Sequence, residues 1–124
     1  MKLAQDACLL LDIESNRRLA QNAVALGRRS EAMEFAQRAL HAGEDLPGGT
    51  APSFALPRAF AAMGLTYAAL GSSPLHSSDD YQQAQLWLRR SLIAWRAAQP
   101  EWDLSADDQQ VMRKVEESLS QIDR

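Results

Sequence analysis

Apolar residues recur along this chain at helical spacing in four stretches. Across 31–42, Ala32, Phe35, Ala36, Ala39 and Leu40 fall at i, i+3, i+4, i+7 and i+8, the set that shares one face of a helix. Phe60, Met63, Gly64, Tyr67 and Ala68 repeat the spacing across 57–70, and Ala84, Trp87, Leu88, Ser91, Leu92 and Trp95 continue it across 80–97. A last stripe of Val111, Val115, Leu119 and Ile122, with Met112 beside it, predicts a helix opened near Ser105. No stretch sustains the alternation of a strand, so the expected fold class is all-α.

Small and polar residues set the expected helix ends. Gly27, Gly43 and Gly71 each follow a helical run, where glycine accepts the left-handed backbone that closes a helix. Ser30, Asp79 and Ser105 are helix-capping types, and Asp79 with Gln82 matches a capping box. The first 26 residues carry two stripes, Leu3, Ala7, Leu10 and Leu11, then Leu19, Ala20, Ala23 and Val24, separated by polar Glu14 to Arg18. This reads as a short helix followed by a second, with one long bent helix as the alternative.

Composition narrows the function classes. The 124 residues fit one domain, and 21 alanines strengthen the helical reading. Lys and Arg number 13 against 16 Asp and Glu, a net charge of −3 that argues against a nucleic-acid binder. Cys8 is the only cysteine, and His41 and His76 are the only histidines. An intrachain disulfide and a cysteine- or histidine-rich metal centre are therefore excluded, and no cofactor is expected. The apolar run Ala7 to Leu11 is too short for a signal-peptide core, and nothing approaches a membrane span. The expected location is the cytoplasm, with no membrane partner.

Two pieces of the chain align with each other. Leu19-Ala20, Ala23, Gly27 and the run Glu31-Ala32-Met33-Glu34-Phe35-Ala36-Gln37-Arg38-Ala39-Leu40 correspond to Phe60, Met63-Gly64, Tyr67, Gly71 and the run from Tyr81 to Leu92. These residues resemble the tetratricopeptide repeat, TPR. Gly27 and Gly71 lie 44 apart, one period of about 34 residues plus the insertion 47–56. The resemblance implies a superhelix of antiparallel helix pairs: an N-terminal helix 1–12, repeat one at 13–46, repeat two at 57–97 with a loop insertion 72–79, and a capping helix 104–123. Asn16 and Ala23 depart from the pattern, standing where large apolar and aromatic residues are expected. Residues 57–124 also look like the C-terminal TPR tail of certain bacterial serine/threonine kinases, without any of the kinase motifs.

The resemblance implies a ligand groove lined by the first helix of each pair. Carried over by position, its residues are Glu14, Arg17, Arg18, Gln21, Val24 and Ala25, then Arg58, Ala61, Ala62, Leu65, Ala68 and Ala69. Arg17, Arg18 and Arg58 would pair with an acidic peptide or a C-terminal carboxylate; the bland alternative is solvated surface arginines. Ala62 stands where the family's carboxylate clamp has Asn. The strip Ala61, Leu65 and Ala68 suits a bound helix or contact with the capping helix. Trp87 and Trp95 at helical spacing read as packing residues, and Asp79-Asp80 and Asp107-Asp108 as helix caps. Cys8 reads as a buried inert thiol. With no catalytic constellation, the expected function is a non-enzymatic module that binds a protein or peptide partner. The alternative is a homodimer whose groove is filled by its own second copy, since two repeats are few for a free-standing stack.

Overall fold

The computed structural model describes residues 2–44, 55–74, 76–98 and 106–122, with side chains from Asp12 onward. Among them are five helices and no strand: α1 (Lys2–Ala25), α2 (Arg29–Glu44), α3 (Ala55–Gly71), α4 (Asp80–Ala98) and α5 (Ala106–Ile122). The all-α expectation holds.

The N-terminal region differs from the preferred two-helix reading, because α1 runs unbroken from Lys2 to Ala25. Its polar middle is compatible with helix because the side chains bond back along the same helix. The amide of buried Asn16 donates to the carbonyl of Asp12 one turn earlier, at 2.9 Å, and Arg17 donates to Glu14 at 2.9 Å. At its far end Gly27 takes the left-handed conformation, φ 72°. The Gly27 N–H donates to Val24 and the Arg28 N–H to Ala23, so the last carbonyls are satisfied in the Schellman pattern.

The other two glycines act differently. Gly43 lies inside α2 and Gly71 is the last residue of α3, and neither has a positive φ. Both serve close approach. A Cβ on Gly43 would lie 2.4 Å from the Cβ of Ala59, and one on Gly71 would lie 2.7 Å from the ring of Tyr81. Ser30 is also not a cap, since α2 begins at Arg29 and the Arg28 carbonyl accepts from the Ala32 N–H. The Asp79 carbonyl accepts from the Gln83 N–H, which places Asp79 at the start of α4 as expected. Ser105, Trp102 and residues 47–54 of the insertion lie outside the described residues, while its last two, 55 and 56, open α3.

Consecutive helices pack against one another, and α1 and α5 also each lie against α3. Gly64 sits at the crossing of α3 with α4, where a Cβ would come within 2.6 Å of the Leu88 side chain. Near the start of α3, the carbonyl of Pro57 accepts from the Ser91 hydroxyl at 2.8 Å. α3 is thus the central helix, apolar on two sides. Ala59, Ala62 and Met63 join Ile13, Ala20, Ala36, Ala39 and Leu40 in one core. Ala61 and Leu65 join Ala84, Leu88, Trp95, Val111, Val115 and Leu119 in the other. The stripe of α5 is spent on this second core, with Ile122 half-buried at its end.

Candidate partner-binding groove

The second half of α1 lies alongside α3 and α5. Arg58, early in α3, reaches Asp108, early in α5, and Glu14 of α1. Later residues of the same three helices, Gln21, Ala68, Ala69, Ser118 and Gln121, line a common cleft. The three helices therefore run parallel. α1 and α5 make no backbone contact with each other among the described residues, and between them a groove lies over α3.

One end of that groove is charged. A cleft of about 390 Å³ is lined there by Glu14, Ser15, Arg17, Arg18, Arg58, Asp107, Gln110, Val111 and Lys114. Two of its arginines, Arg17 and Arg58, are not loose surface groups. The Arg58 guanidinium donates from Nε to Oδ1 of buried Asp108 at 2.8 Å and reaches Oε1 of Glu14 at 3.5 Å. Arg17 is only 7% exposed, bonded to Glu14, with its Nε buried and unpartnered. Burial alone would push the Glu14 carboxyl up. The Arg17 hydrogen bond and the charges of Arg17, Arg58 and Arg18 outweigh it and hold the group below the usual carboxylate range. Arg18 and Lys114 are exposed at the rim.

The other end is nearly neutral. A cleft of about 360 Å³ is lined by Gln21, Leu65, Ala68, Ala69, Ser72, Tyr81, Ser118, Gln121 and Ile122. Of the residues assigned from sequence, the structure brings Glu14, Arg17, Arg18, Gln21, Arg58, Leu65, Ala68 and Ala69 to these two clefts. It removes Ala61 and Ala62, both fully buried: Ala61 packs in the core shared with α5, and Ala62 in the core shared with α1 and α2. Leu65, too, is mostly covered within its own chain. Val24 is half-buried and lines neither cleft.

Sequence reasoning missed the acidic partners. Asp79-Asp80 and Asp107-Asp108 read as helix caps, yet the second Asp of each pair is buried against an arginine of another helix. Asp80 accepts from both terminal guanidinium nitrogens of Arg29, with Nη1 donating to Oδ2 at 2.9 Å, and also accepts from the Ser77 N–H at 2.7 Å. The Arg29 bond holds the Asp80 carboxyl below its ordinary range against the opposing effect of burial, helped by Ser77. In each case the arginine stands about 50 residues before its Asp, at or near a helix start.

Trp87 and Trp95 are packing residues as expected. Trp95 is fully buried, and half-buried Trp87 lies 5.7 Å from the Phe60 ring, with the Arg90 guanidinium 4.9 Å from its own ring centre. No grouping of His, Cys, Asp and Glu fit for a metal ion occurs among the described residues. None of the helices there is long and apolar enough to cross a membrane. No family model, curated protein or solved structure matches the chain.

Proposed function

We propose that the chain is a TPR-like module of two helix pairs closed by α5, which binds a carboxylate-bearing peptide segment of a protein partner in the groove over α3. The carrying observation is the groove itself, with parallel walls from α1 and α5 and cationic Arg18 and Lys114 on the rim of its charged end. Arg17 and Arg58 are committed to Glu14 and Asp108, so they shape the site while the rim cations contact the ligand. The residues of both clefts include no nucleophile paired with a base, which supports a binding role over a catalytic one.

Affinity capture from native lysate, followed by rebinding of the purified partner, tests this reading. Arg18→Glu with Lys114→Glu should weaken the complex at least about tenfold, as reversing rim charges opposes an anionic ligand. An unchanged affinity would refute the groove as the site.

A further inference from the structure

Outside both clefts, large aliphatic side chains stand exposed at Leu19 of α1, at Leu26 just past it, and on α4. Leu86 and Ile93 of α4 are 43% and 66% exposed, although both are large aliphatic side chains. Seven residues apart, they stand within about 20° of each other around the helix. Arg89 and Arg90 fall within about 60° on either side of them, and Arg96 follows one turn on; all three are exposed. At its start stand Asp79, exposed, and Asp80, buried under Arg29. In a chain whose net charge is −3, the rest of this helix carries no acid and sets arginines around two protruding aliphatic groups. None of these residues lines either cleft.

We infer that the outer face of α4 is a second binding surface, for an acidic amphipathic helix of a partner protein. The aliphatic pair at i, i+7 matches the spacing of apolar anchors along one face of a helix, and the arginines complement carboxylates flanking those anchors. A second copy of this chain is a poor occupant. Antiparallel self-pairing that set Leu86 against Ile93 would crowd Arg89 and Arg90 of both copies at the symmetry axis, like charge against like.

The test is fluorescence anisotropy with a labelled synthetic helical peptide of about 20 residues, Leu on one face and Glu elsewhere. The acidic peptide should bind. Affinity should fall at least about tenfold with Ile93→Glu and with Arg90→Glu, and hold with Arg18→Glu plus Lys114→Glu, which separates this surface from the groove. Ile93 is largely exposed, so its variant should melt like the parent, as circular dichroism would verify. No binding, equal binding of a Lys-for-Glu peptide, or loss only with the groove variants would overturn the inference. So would Ile93-dependent binding to phosphatidylserine vesicles in place of the peptide, or a dimer in sedimentation that Ile93→Glu disperses.

Discussion

Arg29, the first residue of α2, closes on the carboxylate of Asp80, the first residue of α4, through both terminal nitrogens. The backbones of these two helices do not otherwise meet. The pair therefore ties α2 directly to α4. Asp80 is 1% exposed, so removing its partner leaves a buried charge with little compensation.

Arg29→Ala should accordingly lower the unfolding free energy by about 2–4 kcal/mol, toward the lower end because Arg29 itself is one-third exposed. Arg28→Ala breaks a pair with Glu31 in which both side chains are more than half exposed, and should change stability by less than about 0.5 kcal/mol. Urea denaturation of the two neighbours measures the contrast. Equal effects would mean that the Arg29–Asp80 bond is not structural.

Acid should weaken the fold through two carboxylates. Asp80 and Glu14 are both held below their ordinary range in the folded chain. Groups of that kind contribute stability above their unfolded pKa, near 4, and lose it as pH falls through the folded value. Urea midpoints should stay nearly flat from pH 7 to about 5 as far as these groups are concerned, then drop below about pH 4. Asp80→Asn should be less stable at neutral pH and show a shallower acid decline. A parallel decline in the variant would rule out Asp80 as a source.

The three close-approach glycines should rank by what a methyl group would meet. At Gly64 it would strike the Leu88 side chain and lie 2.9 Å from its backbone nitrogen, and at Gly43 it would strike the Cβ of Ala59. Alanine gains about 1 kcal/mol of helix propensity, but overpacking costs about 1–3 kcal/mol. Gly64→Ala and Gly43→Ala should therefore lower the melting temperature. Gly71→Ala meets the exposed ring of Tyr81, which can swing aside, and should be nearly neutral. Thermal melts of the three variants would decide, and a stabilised Gly64→Ala would refute the close crossing.

Removing residues 104–124 should expose Ala61, Leu65, Leu88 and Trp95, which α5 now helps to bury. The truncated chain should aggregate or melt early, and its tryptophan emission should shift to the red as Trp95 meets water. An unchanged melt and spectrum would mean that the second core does not depend on α5.

Helix placement was legible in the sequence because the apolar period repeats whatever the helices pack against. The span 31–42 became Arg29–Glu44 and 57–70 became Ala55–Gly71. What a residue does at a helix end was less legible. Gly27 adopts the left-handed turn, whereas Gly43 and Gly71 are needed for space, and only the approach of Ala59 and Tyr81 distinguishes them. The groove was legible by halves. Arg18, Gln21, Ala68 and Ala69 reach it, but the burial of Ala61 and Ala62 depends on where the neighbouring helices settle. Arg58 looked like a free cation because Asp108, some 50 residues away, becomes its neighbour only once α5 folds back on α3.

That one guanidinium has a wider effect. Arg58 touches Glu14 on one side and Asp108 on the other, and so joins α1 to α5, two helices with no backbone contact of their own. The guanidinium of Arg58 is thus a direct side-chain link between the two walls. The width of the charged end is thereby a shared property of three helices, and a substitution in α1 has a route to change how α5 is held.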